Sequence, residues 1–291
     1  MDRYVNCIAH NSSEGNLLAG DKYTALMDCG MAFCAKDTIQ KVKDALNGRP
    51  LDYIFLTHTH YDHIGALPFF RTEWPKLRTV TSAVGAAVLL KDTPRRVIRE
   101  LSVEAAESYG ITMDTAYSDD FFRGDVIVKD GGSISLGDLT VEALETPGHT
   151  RDSLSFFVPE LGLLVLSETP GVLMPDGGVV PCYLSGYNDT ISSVKKLRKI
   201  PHGFLSLPHR GIVSGKDADG FFDKAHLSNA ACRDFILGMK KQGLDEEEML
   251  DSFYQRYSSN MLFEFQPKKA FMINARAMIS CTIKDYMESL I

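Results

Sequence analysis

Three of the eight histidines of this 291-residue chain fall within six positions. They lie in the run Thr57-His58-Thr59-His60-Tyr61-Asp62-His63-Ile64-Gly65, directly after the apolar segment Tyr53–Leu56. A continuous apolar segment of this length is typical of a strand buried on both faces. In an extended segment, residues i and i+2 point to the same side, so we expect His58 and His60 to converge. A helix beginning at Asp62 would turn that carboxylate and the next imidazole toward a neighbouring point. Such ligands suit zinc, iron or manganese.

One cation needs more ligands than a single loop supplies, so further ligands should follow other strands. Three candidates each follow an apolar segment with strand character, close to a proline or glycine that shapes an exposed turn. They are His149 after Thr140–Leu144, Glu168 after Leu163–Leu166, and His209 after Phe204–Leu207. Their shared placement favours metal ligands over ordinary loop residues.

Alternating strand and helix patterns predict a layered α/β domain over residues 1–215. Predicted strands are Val5–Ala9, Asn16–Ala19, Thr24–Met27, Tyr53–Leu56, Arg78–Val80, Ile134–Leu136, Thr140–Leu144, Leu154–Val158, Leu163–Leu166 and Phe204–Leu207. Predicted helices are Ala35–Leu46 and Thr190–Lys199, with a helical insertion at about 94–117. Residues 216–291 form a helical extension that we expect to pack on the core. Its predicted helices are Asp219–Lys240, Asp245–Ser258 and Pro267–Leu290.

Composition and charge limit the partners that the chain can have. The net charge of −7 disfavours general nucleic-acid binding, and no apolar run approaches the roughly 18 residues of a membrane span. The first residues lack the layout of a signal peptide, so we expect a cytoplasmic protein. The six cysteines form no C-x-x-C pair, which disfavours a disulfide framework or a thiolate zinc site. Cys182, which follows Pro181 in a loop, is the one cysteine singled out.

These motifs resemble those of the metallo-β-lactamase superfamily, over roughly residues 5–215. The family's His-x-His-x-Asp-His signature is matched in full from His58 to His63, and its later single histidines match His149 and His209. An early Asp-x-Gly strand end matches Asp28-Cys29-Gly30. The resemblance implies a four-layer αβ/βα sandwich, here with the additional C-terminal helical region.

The resemblance also implies a binuclear metal site and assigns its ligands. One metal would be held by His58, His60 and His149, and the other by Asp62, His63 and His209. The aspartate that bridges the metals in the family is replaced by Glu168, whose extra methylene moves the carboxylate oxygens by about one C–C bond. Asp28 would brace the metal loop. We expect two divalent transition-metal ions, zinc ahead of iron or manganese, and we take the carboxylates of Asp62 and Glu168 as the catalytic residues.

The reaction implied is hydrolysis of a small ester, thioester, lactone or phosphodiester by a metal-bound hydroxide. The chain has no Gly-x-Ser-x-Gly elbow and so no sign of a separate nucleophile. One alternative is an iron-dependent oxidoreductase of the same superfamily, although the NO-reducing diiron members typically replace the second histidine by glutamate and His60 is intact. Another is a regulatory protein with a weakly active metal site, which the substitution at Glu168 slightly favours.

The expected partner is a small molecule, with neither nucleic acid nor membrane. The insertion at about 94–117 follows the metal loop and could form a lid over the site. Its residues Arg95, Arg96 and Arg99 would then favour an anionic substrate. Alternatively, the insertion packs on the C-terminal helices and contributes to a homodimer interface.

Overall fold

The computed structural model describes residues 3–8, 15–258 and 266–290. The chain divides into two compact units. Unit 1 comprises Met1–Glu145 and Leu154–Leu163, and unit 2 comprises Thr146–Ser153 and Leu164–Ile291. The boundary expected near residue 215 between a catalytic domain and a helical extension is not tested by this division and stays a prediction.

Unit 1 contains a six-stranded mixed sheet. Its strands, in spatial order, are β1 (Tyr4–Asn6), β2 (Asn16–Ala19), β3 (Thr24–Met27), β4 (Tyr53–Phe55), β5 (Arg78–Ser82) and β6 (Val126–Val128). The strands β1, β2 and β3 are antiparallel, whereas β3 to β6 are parallel. Parallel neighbours require long crossovers, and helices occupy them here. These helices are α1 (Ala35–Leu46), α2 (Tyr61–Ile64), α3 (Leu67–Glu73), α4 (Ala83–Leu89) and α5 (Asp92–Ser108).

A second layer of unit 1 is an antiparallel meander. It consists of β7 (Ser133–Ser135), β8 (Thr140–Glu145) and β9 (Leu154–Val158). All five residues of β9 are buried, as expected for a strand covered on both faces. The rings of Phe55 in β4 and Phe156 in β9 meet edge to face, with centroids 5.3 Å apart. The two layers of unit 1 therefore share a core.

Unit 2 combines short strand pairs with long helices. Strand β10 (Leu163–Val165) begins at the last residue of unit 1. The elements that follow are β11 (Val172–Leu173), β12 (Val179–Val180), α6 (Tyr187–Leu197), β13 (Phe204–Leu207), β14 (Gly211–Ser214), α7 (Lys216–Lys241), α8 (Glu246–Tyr257) and α9 (Lys268–Glu288). The pairs β11–β12 and β13–β14 are antiparallel hairpins. The helices close around an apolar cluster that includes Tyr183, Ile236, Phe253 and Phe271.

The predicted helical insertion is too long at its C-terminal end. Helix α5 ends at Ser108, and Gly110 follows with a φ of +68°, a conformation that stops a helix. The next segment is not helical, because Arg99 donates hydrogen bonds to the carbonyls of Thr115 and Tyr117 and so holds it in a loop. Among the described residues, no helix combines the length and apolar character needed to cross a bilayer.

Candidate metal centre

Unit 1 gathers the clustered histidines in the loop that follows β4 and in α2. The ring centroids of His58 and His60 are 4.7 Å apart, and those of His58 and His63 are 4.0 Å apart. The His63 Nε2 atom lies 3.7 Å from Asp62 Oδ2. His58 and His63 are each 1% exposed, whereas the Asp62 side chain retains 18% exposure. The three imidazoles and the Asp62 carboxylate thus lie close together within unit 1.

Asp28 connects β3 to this loop through its buried carboxylate. Its Oδ1 atom accepts a hydrogen bond of 2.8 Å from the Thr57 N–H. Its Oδ2 atom accepts one of 2.6 Å from the Thr57 hydroxyl and one of 2.8 Å from His63 Nδ1. Asp28 has a φ of +54°, an uncommon conformation for a residue with a side chain. Such strain persists only where the surroundings enforce it, and here three hydrogen bonds do so.

These hydrogen bonds determine which ring nitrogen of each histidine has a lone pair for a metal. His63 faces a carboxylate through Nδ1, so that nitrogen carries the proton and Nε2 keeps its lone pair. The single proton of the Thr57 hydroxyl goes to Asp28, so the hydroxyl accepts from His58 Nδ1, 3.0 Å away. His58 Nε2 therefore also keeps its lone pair. Two imidazoles are held in the form that binds a metal.

The backbone around α2 is fixed by close packing. The carbonyl of His63 accepts hydrogen bonds of 2.8 and 3.0 Å from the amides of Cys29 and Gly30. A Cβ at Gly65 would overlap with the carbonyl oxygen of Tyr61, so only glycine fits at this position. Burial raises the pKa of the Cys29 thiol well above its usual range, with the adjacent aspartate adding to the effect. That thiol is therefore neutral beside the metal loop.

Unit 2 places its candidate ligands on the two sides of one carboxylate. Glu168 Oε2 lies 3.1 Å from His149 Nε2, and Glu168 Oε1 lies 2.6 Å from His209 Nε2. The Cys182 sulfur lies 3.6 Å from Glu168 Oε2. All four residues are nearly or fully buried at their side chains. Glu168 thus points toward His149 and His209 rather than away from them.

The loop that carries His149 is pinned at several points. His149 Nδ1 donates a hydrogen bond of 2.6 Å to the carbonyl of Cys182, which leaves Nε2 as the ligating nitrogen. The carbonyl of Gly148 accepts from both the amide and the hydroxyl of Ser185. Gly148 has a φ of +144°, and a Cβ there would overlap with the Thr190 hydroxyl of α6. A side chain at Gly148 would therefore displace the imidazole.

His209 occupies a strained position in the turn between β13 and β14. The Arg210 amide donates to the Leu207 carbonyl across the turn, with Pro208 and His209 in its centre. The φ of His209 is +57°, at a position where turns with a leading proline favour glycine. A histidine is retained there although its side chain makes the conformation costly. In this conformation its Nε2 atom lies 2.6 Å from Glu168 Oε1.

The donor chemistry of unit 2 fits a metal ion. One ligand atom each from His149, Glu168 and Cys182 lie within 4.8 Å of one another. Imidazole nitrogen, carboxylate oxygen and thiolate sulfur are the ligands that zinc takes in proteins. A carboxylate that faces lone-pair nitrogens needs a cation or a proton between them. The chain thus contains a His/carboxylate cluster that could hold a metal.

One residue beside the candidate ligands of each unit was not assigned a role from the sequence. Thr57 was noted only as part of the histidine run, and its hydroxyl proves to connect His58 to Asp28. Cys182 was singled out only because it follows a proline in a loop. It lies 14 positions from Glu168 and 33 from His149, so no local spacing reveals its place.

The arginines predicted to favour an anionic substrate are mostly engaged within unit 1. Arg95 donates to the carbonyls of Leu89 and Phe122. Arg99 binds loop carbonyls and Asp119, and its guanidinium lies 4.0 Å from the ring centroid of Tyr117. Arg96, with a side chain 68% exposed, pairs with Glu100 at 3.6 Å. Two of the three arginines therefore hold a loop in place.

Comparisons with known proteins agree with this arrangement. A family model described as the metallo-beta-lactamase superfamily matches residues 16–209. The probable metallo-hydrolase YqgX of Bacillus subtilis (strain 168) is 27% identical over 178 residues, which cover 58% of this chain and 75% of that protein. A hydroxyacylglutathione hydrolase of Idiomarina loihiensis is 27% identical over 155 residues, which cover 53% of this chain but only 45% of that protein.

A solved structure shows the same fold. It is that of the superfamily protein ST1585 from Sulfolobus tokodaii, with a TM-score of 0.63 at 20% sequence identity over 95% of this chain and 96% of that one. At this identity the likeness shows the fold alone. The predicted fold class, an α/β sandwich of the metallo-β-lactamase type with additional C-terminal helices, is confirmed.

Proposed function

Since the chain belongs to the metallo-beta-lactamase superfamily, we propose that it is a hydrolase that uses two divalent transition-metal ions. The proposed ligands are the residues that match the family's motifs. They are His58, His60 and His149 for one ion, Asp62, His63 and His209 for the other, and Glu168 between them. Imidazole and carboxylate ligands favour zinc over manganese, with iron as the second candidate.

The observation that carries this proposal is the position of the Glu168 carboxylate. Its two oxygens lie 3.1 and 2.6 Å from the Nε2 atoms of two different histidines. A carboxylate with one oxygen toward each histidine would be able to supply one ligand atom to each of two ions. This placement supports Glu168 in the role that aspartate has in the family, and it supports an active enzyme over a regulatory protein with a weakly active metal site.

When bound, two metals would lower the pKa of a shared water to about 7 and polarise the electrophile. The residues of the chain supply the rest. Asp28 and Thr57 hold His58 and His63 in the ligating form through the hydrogen bonds already described. Asp62, the most exposed carboxylate of the set, is placed to pass a proton between the reacting water and solvent at Oδ2. Asp62 and Glu168 are the proposed catalytic residues.

The proposed substrate is a small ester, thioester, lactone or phosphodiester, with thioesters placed first. The hydrolase of I. loihiensis is named for a thioester of glutathione, and its likeness to this chain supports that order. Helix α5 packs against α2, since Tyr61 and Ala105 lie in one apolar cluster. This contact supports a role for the insertion in shaping the entrance, with Arg96 as its remaining exposed cation.

We further propose a cytoplasmic location, because all six cysteines lie among the described residues, buried and without a disulfide bond, which suits a reducing compartment. An iron-dependent oxidoreductase is the alternative function, and a homodimer formed through the insertion is the alternative role for α5. A protein that contains iron and hydrolyses none of the substrates would favour the oxidoreductase. A fall in the mass measured in solution when the insertion is shortened would favour the homodimer.

The test is hydrolysis by the metal-loaded full chain against a panel of chromogenic esters, thioesters, lactones and phosphodiesters. We expect turnover of at least one class by the wild type, and a loss of at least about 10²-fold in Asp62→Asn and Glu168→Gln. His202→Ala is the matched control, since His202 donates to the Ile200 carbonyl and lies outside the candidate ligand set. A metal-loaded protein that hydrolyses nothing, or variants as active as the control, would contradict the proposal.

A further inference from the structure

We propose that Cys182 is an additional metal ligand, which donates its sulfur to the ion held by His149 and Glu168 and makes that position selective for zinc. This inference rests on the proposed two-metal function and adds to it a ligand outside the family's motif. It also revises the sequence expectation against a thiolate zinc site, which considered only paired cysteines.

The spacing of the donor atoms supports a shared ion. In zinc sites with four or five ligands at ordinary bond lengths, neighbouring ligand atoms are about 3–3.6 Å apart. In unit 2, Glu168 Oε2 is 3.1 Å from His149 Nε2 and 3.6 Å from the Cys182 sulfur. The three donors lie within 4.8 Å of one another. Small side-chain adjustments would bring all three to bonding distance of one ion.

The main chain holds the thiol at this position. The Cys182 carbonyl accepts the Nδ1 proton of His149, so the two candidate ligands are tied to each other. The next residue, Tyr183, is fully buried, and its hydroxyl accepts a hydrogen bond from Thr282 in α9. Two residues further on, the Ser185 amide donates to the Gly148 carbonyl. The sulfur is therefore positioned by the fold rather than by a mobile loop.

A sulfur ligand would change which metal is retained. Thiolate is a soft ligand that suits zinc, whereas a set of imidazole and carboxylate alone also accepts iron or manganese. The sulfur–metal bond forms as the thiol proton leaves to solvent, so the step needs no oxidant or reductant. The competing account is that the thiol only donates a hydrogen bond to Glu168 and never contacts the ion.

Zinc K-edge X-ray absorption on the zinc-loaded full chain separates these accounts. Sulfur scatters at about 2.3 Å from zinc and nitrogen or oxygen at about 2.0–2.2 Å. We expect a sulfur shell in the wild type and its loss in Cys182→Ser. Cys281→Ser is the matched control, because that thiol is about equally buried in unit 2 and donates hydrogen bonds to the main-chain oxygens of Tyr183 and Met278. Cobalt-loaded protein should show a thiolate charge-transfer band with the same dependence on Cys182.

Competition between zinc and manganese gives a second readout. Cys182→Ser should lower the preference for zinc about tenfold or more, whereas the control variant keeps it. A wild type with two zinc ions per chain and no sulfur shell would overturn the assignment of Cys182 and leave the proposed hydrolase intact. A wild type that retains no metal would contradict the two-metal function itself and this ligand with it.

Discussion

Replacing Asp28 by asparagine changes the chemistry of one group while its size is kept. The amide oxygen of the asparagine can still accept a hydrogen bond from the Thr57 N–H, as Oδ1 of Asp28 does now. The amide nitrogen would then face the Thr57 hydroxyl and His63 Nδ1, which both donate to the carboxylate at 2.6 and 2.8 Å. Two donors cannot share a hydrogen bond, so the His63 proton should move to Nε2. The ligating nitrogen would then carry a proton.

The expected result is a loss of metal affinity rather than of fold. A changed partner behind a ligating histidine typically lowers metal affinity about 10–100-fold, which corresponds to about 1.4–2.7 kcal/mol. That range is comparable to the net free energy that a single hydrogen bond to a charged group contributes, about 1.5–3 kcal/mol. The positive φ of Asp28 suits asparagine as well as aspartate, so the backbone strain is unchanged.

Zinc affinity measured by competition with a chromophoric chelator tests this effect. Asp37→Asn is the control, because it removes one negative charge from an exposed position in the first turn of α1. We expect weaker binding in Asp28→Asn and an unchanged affinity in Asp37→Asn. Equal affinities in both variants would show that Asp28 is merely a strand-end residue and that the orientation of His63 does not depend on it.

Three further predictions concern the stability of the fold. Gly148→Ala should lower the free energy of unfolding in urea by about 2 kcal/mol or more, because the methyl group has no room. The control is Gly203→Ala, where the space is open and the free energy should change by about 0.5 kcal/mol or less. In metal-free protein, His209→Gly should be about 1 kcal/mol more stable than His209→Ala, because glycine relieves the positive φ; equal stabilities would refute the strain. Burial opposes ionisation of Asp125, but hydrogen bonds from the Thr79 amide and from Arg71 outweigh it and lower the pKa of that carboxyl. The Asp125–Arg71 pair therefore stabilises the fold above pH 3.8, and this stabilisation is lost as the pH falls. In urea titrations, the difference in free energy of unfolding between wild type and Arg71→Leu should narrow below pH 3.8. A difference that stays constant with pH would contradict this role of the pair.

Elements with a clear local pattern could be predicted from the sequence. Helix α1 is found at Ala35–Leu46 as predicted, because Val42 and Leu46 form one buried stripe and Asn47 ends the helix in a left-handed conformation. Strands β2, β3, β9 and β13 also have their predicted bounds. Helix α3, by contrast, was missed, since its apolar residues are buried on several sides and leave no helical period in the sequence.

Tertiary contacts explain the other differences. The charge pattern of Arg95 and Arg99 is that of an exposed helix face, yet both guanidiniums are taken up by main-chain carbonyls of a loop more than 15 residues away. Loop carbonyls leave no trace in a sequence. The same reason hides the Cys182 carbonyl that orients His149. Candidate ligands could be named from sequence motifs, and their role as ligands stays a prediction. The groups that orient their side chains could not be named from the sequence.

Metal stoichiometry is the most direct test of the proposed site. Elemental analysis of the full chain, purified after zinc-supplemented expression and dialysed against metal-free buffer, should give close to two transition-metal ions per chain. His60→Ala and His149→Ala should each lower this number, while His202→Ala should leave it unchanged. A wild type that retains no metal, or two histidine variants that retain as much as the control, would contradict the two-metal account.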